Sequence, residues 1–117
     1  MRHLKKGKKF HRISGRRRSF LRNLVNDVIR TGSVETTEVR AKAVRSPLEK
    51  LVSLAKRQTL AARRLILSRT GSKAVTEKLY GELAPRFASR PGGYLKITKL
   101  AKWRKRDGSR MAKIEFV

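Results

Sequence analysis

Residues 19–37, SFLRNLVNDVIRTGSVETT, contain a change of hydrophobic period that decides the fold class. In the first part the apolar side chains recur at i, i+3 and i+4, which predicts an amphipathic helix from Ser19, with Ser14 or Ser19 as the residue that caps its start. Asn26 lies off this apolar stripe, and Gly32 supplies the glycine that commonly ends a helix. Residues 33–37 are short and rich in β-branched side chains, which favours a small strand or an extended entry to the next helix.

A second helix is predicted over residues 38–57, but Pro47 leaves its start open. The run Ser46-Pro47-Leu48-Glu49 is typical of a capping box with proline at the first helical position, so a helix can begin at Ser46. Alternatively, one longer helix starts near Thr37 and is kinked at Pro47, which removes one backbone hydrogen bond at a cost of about 3 kcal/mol.

Two further helices and two strands follow. Residues 59–68 predict a short third helix, and residues 72–83 predict a fourth that is stopped by Pro85. Residues 94–100 and 111–117 predict strands, the second with a clear alternation of side chains. The order of elements predicts an α+β domain whose first and last parts meet in one small sheet. We expect its core to contain Phe20, Leu24, Val28, Val44, Leu48, Leu51, Leu79, Leu83, Ile97, Ile114 and Phe116.

The charge of the chain indicates a polyanionic partner. It has 32 Lys and Arg against 8 Asp and Glu, a formal net charge of +24, and self-repulsion on that scale destabilises a compact state unless counter-charge is supplied. The absence of cysteine excludes a disulfide-stapled fold and thiol catalysis. Residues 1–18 are strongly basic and contain no acid, which predicts either an arm that orders on phosphate or a solvated tail. A single domain is expected over residues 19–117.

No pattern in the sequence indicates catalysis, a metal site or a membrane span. His3 and His11 lie in the basic arm without a neighbouring carboxylate, and two histidines without cysteine do not suit structural zinc. Glu35 and Glu38 are the closest acidic pair, but nothing near them predicts the pocket that a catalytic dyad needs. No apolar run approaches the ~18 residues of a membrane span. We therefore expect a non-enzymatic protein with no cofactor, no metal, no small-molecule substrate and no membrane association.

Cationic residues are concentrated in three places, which favours a folded RNA over a DNA groove. These places are the arm, the helical region at residues 56–69 and the connection at residues 102–110. A DNA reader is expected to have a recognition helix or dimerisation heptads, and neither is present. A DNA-compacting architectural protein is the main alternative, and a membrane-active peptide precursor is a third.

Aromatic residues among the cations suggest where unpaired bases could stack. Trp103 is the best candidate and Phe10 is another, whereas Tyr94 suits the core as well as it suits RNA. The complete set of predicted RNA-binding residues is Arg2, His3, Lys5, Lys6, Lys8, Lys9, Phe10, His11, Arg12, Arg16, Arg17, Arg18, Arg22, Arg63, Arg64, Arg90, Tyr94, Lys96, Lys102, Trp103, Arg104, Lys105 and Arg106.

Several short motifs, each weak alone, occur in a collinear order along the chain. They are Met1-Arg2-His3, Thr36-Thr37 followed by Arg40-Ala41-Lys42, Leu54-Ala55-Lys56, Arg63-Arg64-Leu65, LAPRF at 83–87, RPGGY at 90–94 and MAKIEFV at 111–117. In order and spacing they resemble the family of the seventeenth protein of the bacterial large ribosomal subunit, over essentially the whole chain. Arg40 is a departure, because lysine is commoner at that position of the family.

The resemblance implies a structural protein of the large subunit that binds large-subunit ribosomal RNA near the nascent-chain exit, beside neighbouring ribosomal proteins. It also implies about four helices packed on a three-stranded mixed sheet, with one strand before the helices and two after. That topology favours the single helix through Pro47. A cytoplasmic bacterial protein is expected rather than a plastid one, because nothing resembling a transit peptide precedes Met1.

Overall fold

Residues 8–117 are described in a computed structural model of the chain, and they have the predicted α+β architecture. The predicted RNA contacts Arg2, His3, Lys5 and Lys6 lie outside the described residues. The division into an arm over residues 1–18 and a domain over residues 19–117 stays a prediction.

Helix α1, Ser14–Thr31, extends beyond the apolar pattern that starts at Ser19, and neither of the two predicted cap residues, Ser14 and Ser19, is its N-cap. Ile13 has the extended backbone of an N-cap, and its carbonyl accepts a hydrogen bond from the N–H of Arg17 at 2.9 Å. Arginine is a good helix former, so the basic residues 16–18 continue the helix rather than an extended arm. Gly32 ends α1 as predicted, with a left-handed φ of 82°.

Helix α2, Glu38–Ala55, runs through Pro47, so the prediction of one long helix is confirmed. Its N-cap is Thr37, whose side-chain oxygen accepts from the N–H of Arg40 at 3.4 Å. Pro47 is exposed while Leu48 is fully buried. The proline therefore interrupts the solvent side of the helix, and the apolar side still packs on the core.

Helix α3, Leu60–Thr70, and helix α4, Lys73–Lys78, follow in the predicted places. A π-helical turn, Leu79–Leu83, and a short helix α5, Ala84–Arg86, then continue the chain, so the predicted stop at Pro85 is wrong. In the π turn the N–H of Ala84 donates to the carbonyl of Leu79. Proline is tolerated just after this turn because it lies at the start of a new helical segment, where a missing N–H costs little.

Three strands form one sheet in the order β1-β3-β2, where β1 is Ser33–Thr37, β2 is Leu95–Trp103 and β3 is Arg110–Phe116. Both pairings are antiparallel, so the predicted mixed sheet is wrong. The short connection between β2 and β3 makes a hairpin, and a hairpin requires antiparallel strands. β2 extends beyond its predicted end at residue 100, with an irregular register between Lys99 and Trp103.

The core lies between the sheet and the helices, and most of its predicted members are buried there. The buried ones are Val28, Val44, Leu48, Leu51, Leu79, Leu83, Ile114 and Phe116. Leu24 and Ile97 are half-buried and pack against this cluster. Phe20 is wrong as a core residue, since it is half-buried and its aromatic neighbour is Phe10 from the segment before α1.

Candidate nucleic-acid interface

Three segments that are distant in sequence meet at one end of the molecule, and each contributes an arginine. Arg12 precedes α1, Arg40 lies in the first turn of α2, and Arg104 begins the turn between β2 and β3. The guanidinium carbon of Arg12 is 3.9 Å from the centre of the Phe20 ring, and that of Arg40 is 5.0 Å from the same ring. We refer to Arg12, Arg40 and Arg104 as the arginine cluster.

Like charges converge on Arg40. Burial lowers the pKa of Arg40 from its ordinary value, and the positive charges of Arg104 and Arg12 lower it further, while Asp107 opposes the shift. An adjoining groove of about 490 Å³ is lined by residues that include His11, Arg40, Arg104 and Arg110. The positive potential of this groove suits an anionic group.

The acid that lines this groove is already paired with other cations. Glu38 accepts from Lys42 at 2.8 Å and is 3.7 Å from Lys99, and the hydrogen bond from Lys42 is the main cause that lowers the pKa of Glu38. The negative charge of Glu38 is therefore compensated by Lys42 and Lys99, and the arginine cluster keeps a net positive charge.

Arg104 is held in place by the turn that it begins. It donates through Nε to Oδ1 of Asp107 at 2.9 Å and through Nη2 to Oδ2 of the same carboxylate. This bidentate contact raises the pKa of Arg104 and, together with the backbone N–H of Ser109, holds the pKa of Asp107 well below its usual range. Gly108 completes the turn with a φ of 65°. The turn thus fixes the position of one member of the cluster.

Phe10, predicted to stack on a base, packs within the protein. Its ring centre is 5.5 Å from that of Phe20, and its carbonyl accepts from Arg12 at 2.9 Å. The aromatic pair anchors the segment before α1 to the helix and supplies the surface on which Arg12 and Arg40 lie. Phe10 is half-buried, and its contact with RNA stays a prediction.

Tyr94 is a core residue, so its predicted RNA contact is wrong and the alternative interpretation is correct. Only 2% of it is exposed, and its ring centre is 5.4 Å from that of Phe87. Its hydroxyl accepts from Lys56 at 3.0 Å, and this hydrogen bond is the main cause of the lowered pKa of Tyr94. A buried ring with an internal partner has no face available for a base.

Trp103 lies at the end of β2 rather than in the loop where it was predicted, but its ring is accessible. It is 57% exposed, and the guanidinium carbon of Arg110 is 5.2 Å from the ring centre. A cation beside an exposed indole suits base stacking, and this contact stays a prediction.

The other predicted contacts divide into paired and exposed cations. Arg63 is 3.3 Å from Glu77, and Lys102 pairs with Glu35. Arg17 is half-buried and donates to the carbonyl of Arg12 at 3.4 Å. The exposed remainder comprises Lys8, Lys9, His11, Arg16, Arg18, Arg22, Arg64, Arg90, Lys96, Lys105 and Arg106.

The described residues also bear on metals and membranes. Within residues 8–117, no group of three acidic or histidine side chains is placed to hold a metal ion. Among the helices of the same range, none has the length and apolar character needed to cross a membrane.

Sequence similarity identifies the family of this chain. The sequence profile of the family described as Ribosomal protein L17 matches residues 20–117. The chain belongs to the ribosomal protein L17 family. The family is a structural one, so the prediction of a non-enzymatic protein is confirmed.

Similar proteins from distant bacteria extend the match to the whole chain. All three described here bear the name large ribosomal subunit protein bL17. The relative from Sulfurihydrogenibium sp. (strain YO3AOP1) is 48% identical over 100% of this chain and 97% of its own length. The relative from Gemmatimonas aurantiaca is 44% identical over 100% of this chain and 98% of its own length. The relative from Thermus thermophilus is 41% identical over 100% of this chain and 99% of its own length.

Two residues of this L17-family chain were missed as site candidates from the sequence. Arg40 was part of a family motif and a departure from the family pattern but not a predicted RNA contact. A cation in the first turn of a helix opposes the helix dipole, and that disfavoured placement was an available signal. Asn26 was placed off the apolar stripe of α1, but it is 6% exposed. No local signal identified Asn26, because its partner is far away in sequence.

Proposed function

We propose that this L17-family protein is a constituent of the large ribosomal subunit that binds ribosomal RNA and stabilises its fold near the nascent-chain exit. Its relatives are named as proteins of that subunit, which supports the assembly. The single structural observation that supports RNA binding is the convergence of Arg12, Arg40 and Arg104 beside a groove. The location near the exit is supported by the family resemblance.

A phosphate is the group that best completes the arginine cluster. Guanidinium groups bind phosphate oxygens through paired N–H donors, and such charge-assisted hydrogen bonds are stronger than neutral ones. One phosphate beside Arg40 would also offset the repulsion from Arg12 and Arg104. Because these arginines come from three segments, the RNA backbone would hold the segment before α1, helix α2 and the β2–β3 turn together.

The proposed partners are large-subunit ribosomal RNA and neighbouring ribosomal proteins, in the cytoplasm of a bacterium. The surrounding exposed cations would supply sequence-independent contacts whose strength falls with salt. Trp103 would add stacking on an unpaired base. Together these contacts neutralise phosphates that otherwise repel one another in a folded RNA.

The test compares two substitutions with the same charge change on the same helix. Arg40→Gln removes a member of the cluster, and Arg45→Gln removes an exposed arginine that lies 3.6 Å from Glu49. We expect Arg40→Gln to weaken binding to large-subunit ribosomal RNA about tenfold, the size of one lost charge-assisted contact. Arg45→Gln should change it little. Binding is measured at one fixed salt concentration, alongside sedimentation with large subunits.

Three results would contradict the proposal. Equal losses of ribosomal RNA affinity in both variants would show that the arginine cluster is not part of the interface. Failure of the protein to sediment with large subunits, or a preference for duplex DNA over ribosomal RNA at matched salt, would favour the DNA-compacting alternative.

A further inference from the structure

A second groove lies on the helical side of the molecule, between α1, α2 and α3. Its volume is about 660 Å³, within the range of small-molecule sites in proteins. Apolar side chains from two helices form much of its lining, namely Leu21 and Val25 from α1 and Leu51 from α2. Val25 and Leu51 are buried, so they belong to the core as well as to the groove.

Four cations line this groove without acidic partners. Arg18, Arg22, Lys50 and Arg69 all belong to its lining, which includes no Asp or Glu. Within residues 8–117 these four side chains form no ion pair within 4.0 Å, in contrast to Arg63 and Lys102. An apolar groove bordered by uncompensated cations is suited to a ligand with an apolar body and anionic ends.

The lining also contains a buried acceptor without a partner. Asn26 donates from Nδ2 to the carbonyl of Thr70 at 2.9 Å, which satisfies a carbonyl at the end of α3. Because a carbonyl can only accept, this bond fixes which amide atom is the nitrogen. The remaining atom, Oδ1, is enclosed and has no hydrogen-bond partner among the described residues. Buried acceptors are nearly always satisfied, so this oxygen is a polar atom of the lining that a donor on a ligand can satisfy.

We infer that this groove binds one unpaired nucleotide of single-stranded RNA, and this inference rests on the proposed RNA-binding function. The base lies on the apolar lining and donates an N–H to Oδ1 of Asn26, while the flanking phosphates contact Arg22, Lys50 and Arg69. RNA is commonly recognised through such unstacked bases, held by stacking and by hydrogen bonds to their edges. An acidic peptide would also match the cations, and it is the alternative occupant that the test distinguishes.

Access to Oδ1 requires side chains around the groove to move, since the atom is enclosed in the structure. The exposed arginines and lysine of the rim are long and flexible, and rotamer changes of this kind are common when partners bind. The site is therefore selective for a ligand whose apolar part enters the groove.

The test uses the full chain and short strands of abasic ribose phosphates that differ at one central nucleotide. That nucleotide is adenosine, purine riboside, which lacks the exocyclic amino group, or an abasic ribose. All three strands carry the same number of phosphates, so phosphate contacts alone predict equal binding. We expect adenosine to bind most tightly, purine riboside less tightly, and the abasic strand about tenfold more weakly than adenosine, because it loses the burial of the base against apolar side chains.

A blocking variant separates the groove from the rest of the surface. Ser68→Leu adds bulk at an exposed lining residue without changing the charge or adding an aromatic ring, and Ser89→Leu adds the same bulk at an exposed residue outside the lining. Ser68→Leu should abolish the difference between the adenosine and abasic strands, and Ser89→Leu should retain it. A melting curve for each variant establishes that it is folded.

Equal binding of the adenosine and abasic strands by the unaltered protein would overturn the inference. Equal binding of adenosine and purine riboside would overturn the contact with Asn26. If polyaspartate of equal charge displaced the adenosine strand as well as RNA does, the groove would be assigned to an acidic peptide instead. None of these results depends on the Arg40→Gln comparison, so the proposed function is judged separately.

Discussion

Three lysines of the sheet and the cations around the groove between α1, α2 and α3, which we call the helical face, differ in whether they have acidic partners. On the sheet, Lys99 is 3.7 Å from Glu38, Lys113 is 3.5 Å from Glu115, and Lys102 pairs with Glu35. On the helical face, Arg22, Lys50 and Arg69 form no such pair within the described part of the chain. Ion pairs occur elsewhere on the helices, so the contrast is between these lysines and the cations of this one groove.

This difference concerns binding more than stability. Exposed ion pairs contribute only about 0–1 kcal/mol each, so the pairs on the sheet do little to hold the fold. They do reduce the local positive potential, whereas the unpaired cations of the helical face leave it intact. A polyanion is expected to be attracted most strongly to the helical face and to the arginine cluster.

The largest expected effect comes from removing the core on which both regions depend. Leu48 is fully buried in α2, the helix that contacts the sheet as well as α1 and α3. Leu48→Ala should lower the free energy of unfolding by about 2–5 kcal/mol through lost burial and the cavity left behind. Urea denaturation measures this loss. The same substitution at Leu60, which is 59% exposed, should change stability by less than about 0.5 kcal/mol.

A smaller effect is expected from neutralising the two sets of cations in turn. Replacing Arg22, Lys50 and Arg69 with glutamine should reduce the salt dependence of single-stranded RNA binding by about 2 in the slope of log K against log salt, since each lost contact accounts for roughly 0.7. Replacing Lys99, Lys102 and Lys113 should reduce it by less. Fluorescence anisotropy over a series of salt concentrations measures both slopes, and equal reductions would refute the distinction between the two faces.

The smallest effect is expected at the ion pair of the β2–β3 turn. Arg104 holds the pKa of Asp107 below its usual range, chiefly by hydrogen bonding to it. A carboxyl group with a lower pKa in the folded state stabilises the fold above its unfolded pKa of about 3.9, and this contribution is lost as the pH falls toward the lower folded pKa. The melting temperature of Asp107→Asn should therefore lie slightly below that of the unaltered protein at neutral pH. If the difference in melting temperature between the two proteins failed to decrease below about pH 4, this assignment would be contradicted.

Elements with a strong period were predictable from the sequence, because burial on one face leaves a local pattern. The alternation around Ile114 predicted β3, where Ala112, Ile114 and Phe116 are buried. Phe20 shows the limit of this reasoning. It continues the apolar stripe of α1, but that end of the helix extends beyond the core and packs on Phe10.

The sites were predictable only in part, because they depend on contacts between distant segments. The basic segment before α1 and the basic β2–β3 turn were evident from composition. Their convergence on Arg40 was not, since no sequence pattern places three segments at one end of a domain. Asn26 is a similar case, as the carbonyl that it satisfies lies 44 residues further along the chain.

The position of β3 determines when the sheet can form. It lies between β1 and β2, which do not pair with each other, and it is the last of the three strands along the chain. During synthesis both outer strands therefore precede the strand that joins them, and their edges stay open until β3 has been made. Arg104 reaches its place with the β2–β3 hairpin, so the arginine cluster forms only after β3 has been made. The order of synthesis thus delays this cationic surface until all three strands are available.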